Sequence, residues 1–532
     1  MKKTAEELIK KQAGCEDEHS RFRNMYEDVY RYGMPGRYNT ITETDTNGQK
    51  NREVIYSSVF EQACDEFVQR FQSLVCPVNT NWIDFEAGYL YQAQGDKADI
   101  AGTNRELAKV SNILNTFKAT SNFDTAFTEA SYDLIPGTTC LCLIEGTPEE
   151  PYRFSAIPFN ELYMCEGVAG NVDTYFRKLK IKNSLVERQW AGAKFEYEEK
   201  KDEELAELLE CTYYDYDIKR WHYVVIDVKN HKFIVERVYK TSPFIDLRWA
   251  KCAGETYGRG PGLKVIADVK TLNRIKEYSL RALAFTIPTF LASTDNGYDP
   301  ESFKLEPGAI NPVPTNATSN PTIQQLSVNP MPELRNYNIE QLEMDIKRAM
   351  FASTIPNDPS PNMTATEVAR RVQELDNSLN NSFGRLLEFL YRLAQRMIEV
   401  AQRFGLVEEK IDVASFNGYG YKVKVNTQLA NQQSRKEVTD VLESLQVMAQ
   451  FDPQMSFTGK VLDLTKLIPY MLDKMGVPNM FIRTPEEVKQ LEQEEADAMQ
   501  QAQVNAVQMD VEASNAKEEG KANAQRLLQD GR

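Results

Sequence analysis

The stretch from Thr364 to Phe404 constrains this chain more than any other. Thr364 and Glu367 are spaced as a capping box, in which a hydroxyl and a carboxylate satisfy reciprocal backbone donors at a helix start. Beyond it Val368, Val372, Leu375, Leu379, Phe383, Leu386, Leu390, Leu393, Met397 and Val400 recur every three or four residues, the period of one helix face. At about 1.5 Å per residue this predicts a helix on the order of 60 Å long, with Gly384 as the point where a bend is tolerated. A compact domain cannot hide such a rod. Its stripe, marked by Val368, Leu375, Leu379, Leu386 and Leu390, must lie either in the chain's own core or against another copy.

The rest of the chain is large enough to supply such a surface. Its 532 residues correspond to roughly three or four folding units. With 42% apolar and 10% aromatic residues, disorder is a poor reading. Against 62 Lys and Arg stand 78 Asp and Glu, a net charge of −16, which is the opposite of an ordinary nucleic-acid binder. Contact with DNA, if made, must be local or weak. The longest apolar run, Ala282 to Ala292, is broken by Thr286 and Pro288 and falls short of the roughly 20 residues that span a bilayer. No membrane partner is expected. Lys2 and Lys3 lead into Thr4, Ala5, Glu6 and Glu7 rather than an apolar stretch, so no secretory signal is expected either.

Without export, Cys15, Cys64, Cys76, Cys140, Cys142, Cys165, Cys211 and Cys252 are expected as reduced thiols. His19, His222 and His231 complete no zinc pattern with them, and no metal or cofactor is expected.

Helical segments joined by turns are predicted over the first 130 residues. Thr4 and Glu7 make another capping box; a helix around Arg23 to Tyr32 stops at Gly33-Met34-Pro35-Gly36, and one from Ser57 to Val75 ends at Pro77. Between about 138 and 250 the composition turns to β-branched and aromatic residues. Strands are expected at Thr138 to Ile144, Tyr223 to Val228 and Phe233 to Tyr239, the last two joined through Lys229-Asn230-His231. The charged run Glu196 to Glu210 reads as a solvated helix face.

From Pro261 the pattern is helical again, with Val265, Val269, Leu272 and Ile275 on one stripe, until Pro288. An irregular insert follows, with short extended candidates at Phe303 to Leu305 and Thr322 to Val328. Helix resumes near Pro332, with Ile339, Leu342, Ile346 and Met350 on one face, and halts in the proline-stiffened run Ile355 to Pro361. After the long helix, Tyr421 to Val425 alternates as one strand, and helices are expected over Gln432 to Met475. Thr484-Pro485-Glu486-Glu487 opens a Gln-, Ala- and Glu-rich helix. The fold class is therefore mixed α+β, predominantly helical.

No catalytic constellation emerges. Gly258-Arg259-Gly260-Pro261-Gly262-Leu263-Lys264-Val265 invites a phosphate-loop reading. Leu263 and Val265, however, stand where a Walker motif needs glycine and a hydroxyl residue, and Pro261 removes a backbone donor. A turn launching a helix is the better account.

Several strings become informative together. Tyr257-Gly258-Arg259-Gly260-Pro261, followed by Asp268-Val269-Lys270-Thr271-Leu272-Asn273, resembles the head-to-tail connector, or portal, proteins of short-tailed bacteriophages. Leu74-Val75-Cys76-Pro77 running to Asn81-Trp82 agrees, as does Met363-Thr364-Ala365-Thr366-Glu367-Val368. The resemblance covers nearly the whole chain up to about residue 480.

The resemblance implies a portal fold of wing, stem, clip and crown that assembles into a ring, commonly of twelve subunits, at one capsid vertex. It implies a wing over 1–260, stem helices over 261–291 and 332–353, a clip over 292–331 and a tunnel loop over 354–363. A long helix between wing and crown would occupy 364–404, a crown with one wing strand 405–483, and a helical tail or barrel 484–532. Double-stranded DNA would pass through the ring during packaging and ejection. The implied partners are further copies of the chain, the terminase large subunit, a tail adaptor protein, and the major capsid and scaffolding proteins. The expected location is the virion, with assembly in the host cytoplasm.

A conduit for a polyanion should hold few positive contacts, because each neutralised phosphate adds salt-dependent affinity. Arg274, Arg281, Lys347 and Arg348 on the stem helices and Asn357 and Asn362 in the tunnel loop are the candidates, with ion pairing to Glu277 or Glu343 as the alternative for the cations. An internal virion or adaptor protein without a channel, or a metal-dependent nuclease, are the competing functions. The portal reading is non-enzymatic.

Overall fold

The computed structural model describes residues 3–41, 55–78, 81–88, 97–190, 192–195, 203–285, 290–294, 310–314, 332–352, 385–408, 413 and 420–425, together with 438, 441, 442, 444, 445, 467 and 471. Contacts divide the chain into two units, one of residues 1–90 with 109–430 and the other of 91–108 with 431–532. The first holds nearly all that is described.

That unit starts with α1 (Ala5–Gly14) and α2 (Glu16–Gly33). The capping box at Thr4 forms as the spacing requires: the Thr4 hydroxyl accepts from the Glu7 amide at 3.3 Å, and the Glu7 carboxylate accepts from the Thr4 amide at 2.9 Å. α3 (Val59–Val75), α4 (Lys97–Thr120) and α5 (Phe123–Asp133) follow, and between α3 and α4 lies β1 (Ile83–Ala87). This strand, in a stretch read as wholly helical, pairs antiparallel with β12 (Tyr421–Val425), the strand that alternation had marked. β1 escapes a local reading because its partner lies more than 300 residues away.

The middle of the chain builds two antiparallel sheets. β2 (Thr138–Glu145) is flanked by β3 (Tyr152–Ile157) and β9 (Phe244–Arg248). The second sheet is a five-stranded meander of β4 (Leu162–Glu166), β5 (Val172–Lys182), β6 (Leu205–Asp215), β7 (Arg220–Asp227) and β8 (Lys232–Tyr239), with the short helix α6 (Asn183–Gln189) after β5. The β7–β8 turn falls at Lys229-Asn230-His231 as expected. The Asp227 carboxylate accepts from the Lys229 amide, and His231 takes the left-handed conformation with φ 52°.

Two expectations fail here. The run Glu196 to Glu210 is not a solvated helix face: residues 205–210 belong to β6, and Glu210 is fully buried. Leu205-Ala206-Glu207-Leu208-Leu209-Glu210 consists of good helix formers, but pairing on both edges, with β5 and β7, overrides that preference. Nor are all the cysteines thiols. Cys15, at the α1–α2 junction, and Cys165, on β4, form a disulfide with Cα atoms 6.6 Å apart. Their separation of 150 residues is why no local pattern announced it.

α7 (Pro261–Phe285) and α8 (Pro332–Ala349) pack together. α7 ends before Pro288, and residues 290–291, expected in the first stem helix, belong instead to β10 (Phe290–Thr294), which pairs in parallel with β11 (Ile310–Pro314). The extended candidates 303–305 and 322–328, the tunnel loop 354–363 and the tail 484–532 lie outside the described residues.

Of the long helix, residues 385–403 are described, here α9. Leu386, Phe389, Leu390, Leu393, Met397 and Val400 are buried in the chain's own core, so for this part of the stripe the core is the partner. Val368, Leu375 and Leu379 lie outside the described residues.

Candidate functional site: a helix pair and its joint

α7 begins at the glycine cluster, and backbone contact explains the glycines. A Cβ on Gly260 would stand 2.1 Å from the Ile135 carbonyl oxygen, and one on Gly258 2.5 Å from that of Gly137. Only glycine lets the two backbones approach this closely. The Gly260 amide donates to Pro136 O at 2.7 Å, that of Gly262 to Ile135 O at 3.0 Å, and that of Gly258 to the Thr138 hydroxyl at 2.7 Å. Tyr26 on α2 donates its hydroxyl to Gly258 O. All three amides that a phosphate cradle would use are thus occupied within the protein.

The surrounding motif residues do the same work. Tyr257 is fully buried, packs on Phe22 and Phe159, and accepts from the Met164 amide at 3.1 Å. Asn273 accepts from the Tyr56 amide at 2.7 Å. Tyr257 to Gly262 therefore form a joint that seats α7 on the β-rich region and are not a ligand site, while Met363 to Val368 lie outside the described residues.

From the joint, α7 presents two faces. Val265, Val269 and Leu272 are buried. Lys264, Ala267, Thr271, Arg274, Tyr278 and Arg281 are all exposed, at alternating spacings of three and four that hold one face of the helix. Arg274 and Arg281 therefore share a stripe, about 10 Å apart along the axis, and Lys264 joins them. Sequence reasoning missed Lys264 because it was weighed only as a Walker lysine.

Arg281 pairs with Glu277 at 2.6 Å, the alternative weighed for it, while Glu343 pairs with Lys276 at 2.7 Å and ties α8 to α7. Lys347 is half-buried and Arg348 exposed on α8. Arg274, Lys347 and Arg348 have no ion-pair partner among the described residues. Asn357 and Asn362 lie outside them. On the same helix pair Tyr278, Leu280 and Met344 are 61%, 54% and 59% exposed.

α8 ends at Phe351, a non-glycine residue at φ 56°. The Ala352 amide reaches back to Lys347 O at 2.8 Å, closing the helix as a Schellman-type cap. Glycine would be cheaper there, but the Phe351 ring packs against Trp249 and Phe67, and Arg70 donates to its carbonyl at 2.8 Å. Where the chain leaves α8 it is therefore pinned.

The β-rich region is held to α9 by buried charge. Arg392 and the Tyr175 hydroxyl both donate to Asp246 Oδ1 at 2.7 Å, and Arg248 lies 3.2 Å from Oδ2. Burial alone would raise the Asp246 pKa, but Arg392 and Arg248 outweigh it and hold the carboxyl at about 2. Arg396, fully buried, pairs with Glu399 at 3.1 Å, and Glu399 also accepts the backbone amides of Lys240 and Thr241 at 2.6 and 2.9 Å. Arg403 reaches Glu145 at 2.7 Å, and Arg385 donates to Trp249 O at 2.7 Å. These arginines were hidden behind the apolar stripe, although positions 385, 392 and 403 and the neighbouring 396 recur at helical spacing.

Among the described residues no group of three or more His, Cys, Asp and Glu is placed to hold a metal ion, and no helix is long and apolar enough to cross a membrane.

The bacteriophage head to tail connecting protein family matches residues 5–482. With most of its length matched, the chain belongs to that family, the phage head-to-tail connectors, and functions as a viral portal protein. No curated protein matches it. Among solved structures it is similar to a chain in the neck of an empty GTA particle, at 11% identity over 74% of this chain and 90% of the other, with a TM-score of 0.31. A chain in the virion of the native gene transfer agent particle matches at 10% over 76% and 89%, with a TM-score of 0.29. The Epstein-Barr portal matches at 10% over 75% and 82%, with a TM-score of 0.17. TM-scores at this level carry no argument, and the conclusion stands on the family match.

Proposed function

We propose that this connector is a closed ring of identical copies, twelve in number, set at one capsid vertex. Double-stranded DNA passes through its centre into the head and later out through the tail. In this reading residues 1–260 form the wing, 261–289 and 332–353 the stem, and 290–331, with β10 and β11, the clip that docks the terminase large subunit and then the tail adaptor. Residues 354–363 form the tunnel loop, 364–404 the long helix, 405–483 the crown and 484–532 the tail. The wing and crown meet the major capsid and scaffolding proteins. The protein does no chemistry of its own; hydrolysis belongs to the terminase. Assembly takes place in the host cytoplasm.

The exposed stripe of α7 is the observation that supports this most directly. It sets Arg274, Arg281 and Lys264 in one line, next to exposed Tyr278 and Leu280. Apolar side chains suit burial against the neighbouring copy, and sparse cations suit a backbone that must be touched and released. Lys347, Arg348, Asn357 and Asn362 complete the proposed channel contacts.

Mass measurement and negative-stain imaging of the purified protein test the ring. Particles near twelve times the chain mass with a central hole are expected. A strictly monomeric species at high concentration would sink the proposal and leave an adaptor without a channel. Metal-dependent cleavage of DNA by the isolated chain would point to a nuclease instead.

A further inference from the structure

We propose that the Cys15–Cys165 pair is a redox-operated clasp on the N-terminal helix: a dithiol while the chain folds and assembles in a reducing cell, and a disulfide once the particle has left it. The inference rests on the portal reading only for that change of compartment.

The pair stands at a mechanical boundary. Cys15 is both the last cap of α1 and the first of α2, and Cys165 lies on edge strand β4 where its register shifts. The two neighbouring helices are held very differently. α2 is driven into the core by His19, Phe22, Tyr26, Val29 and Tyr30. α1 has only 10 residues, fewer than the roughly 12–15 a helix needs to persist alone.

Its attachment is correspondingly slight. Ala5 and Leu8 cover Tyr163, Phe176, Leu209, Cys211, Val224 and Ile226 on the five-stranded sheet. The polar ties are Lys11 to the Thr174 hydroxyl at 2.7 Å and to Asp173 at 3.6 Å, and the Lys3 amide to the Tyr213 hydroxyl at 3.4 Å. To these are added the exposed approach of His231 to Glu6 at 3.8 Å and, across the junction, the exposed pair Lys178 and Glu16 at 2.9 Å, both worth little. Without the bridge, α1 can lift off this apolar face while α2 stays in place. With it, the C-terminal end of α1 is tied covalently to β4, which shortens the excursion the helix can make from that face.

Access and selectivity follow from burial. Cys15 and Cys165 are half-buried, within reach of small thiols and disulfides. Cys64, Cys76, Cys140, Cys142 and Cys211 are fully buried, and burial pushes their thiols up, out of the range where thiolate is available to react. Cys252 is exposed and can take up a small thiol as a mixed disulfide, but every other free cysteine is buried, so Cys15 and Cys165 are the pair placed to close a bridge. The oxidant is a low-molecular-weight disulfide. One protein thiolate attacks it and expels one small thiol, leaving a mixed disulfide; the second protein thiolate then displaces the other small thiol. Two electrons pass to the oxidant, and the protons of the two cysteines end on the released thiols.

The experiment uses the full chain. Cells producing it are quenched in acid and alkylated, and Cys15 and Cys165 are mapped by mass spectrometry before and after equilibration of the purified protein with oxidised glutathione. Both cysteines alkylated in the cell and bridged afterwards is the expected result; a bridge already present in quenched cells, or two thiols that survive oxidised glutathione, overturns the proposal. Hydrogen exchange over residues 5–14 should be about tenfold or more faster in the reduced protein, with β6 and β7 unchanged. Cys15→Ser and Cys165→Ser should each reproduce the reduced exchange pattern and form no bridge in the presence of oxidised glutathione. Equal exchange in both redox states overturns the clasp. Rings counted by negative stain on the same samples keep the two ideas apart: clasp chemistry without rings sinks the portal reading alone, and rings without clasp chemistry sink this inference alone.

Discussion

Asp133 and Asp246 are both fully buried carboxyls, yet their surroundings drive them in opposite directions. Asp133 has no adjacent cation in hydrogen-bonding contact. Burial raises it to about 7, only partly offset by the hydrogen bond it accepts from Tyr30 at 2.7 Å. A raised folded-state value means that its contribution is fully present below about pH 4 and is lost as the pH rises through 7. Asp133→Asn keeps an acceptor for Tyr30 and removes the ionisation. It is expected to gain on the order of 3 kcal/mol at pH 8 and almost nothing at pH 4, read by denaturant unfolding at the two values. Asp246 is the reverse case, held at about 2 by two arginines. Its stabilisation is present above about pH 4 and lost as the pH falls toward 2. Asp246→Asn strands Arg392 and Arg248 and should cost about 3–5 kcal/mol at pH 7, with a flatter acid limb than the parent. An unchanged acid limb would refute the pairing.

At the scale of elements, the joint seats α7 and buried arginines hold α9 to the β-rich region. Gly260→Ala drives a Cβ against the Ile135 carbonyl, backbone against backbone, with no flexible side chain to give way. A loss of about 2 kcal/mol or more is expected in thermal or denaturant unfolding. Gly14→Ala, a helical position with open space around it, serves as the control and should be neutral or slightly stabilising. On α9, Leu390→Asp places an unpaired charge among Leu386, Leu393 and Phe389, so folding itself is expected to fail, and soluble yield measures it. Soluble, folded Leu390→Asp protein would mean that this face is not core.

For the whole molecule, reversing the α7 stripe separates assembly from passage. Arg274→Glu with Arg281→Glu should leave ring formation intact by negative stain and reduce DNA packaged per particle several-fold. Rings that package normally would remove these residues from the channel.

How far this was legible in the sequence varies element by element. The capping box at Thr4, the turn at Lys229 to His231, strands β2, β7, β8 and β12, and the buried stripe from Leu386 to Val400 all follow from short-range spacing, because side-chain periodicity and turn chemistry act over a few residues. Glu210 on a buried strand, β1 as the mate of β12, the Cys15–Cys165 bridge and the arginines of α9 did not follow. Each depends on a partner far away in the chain, and a Glu in an acidic run looks the same whether it meets water or, as Glu210 does, an arginine of the neighbouring strand, Arg177 on β5, at 3.8 Å. What the sequence determined alone was the family and the local grammar of helix and strand. Only the tertiary structure decided which charges are buried in pairs, that the motif glycines are a joint and not a cradle, and which face of α7 is left open, since those outcomes are set by distant neighbours that desolvate, pair or exclude a side chain.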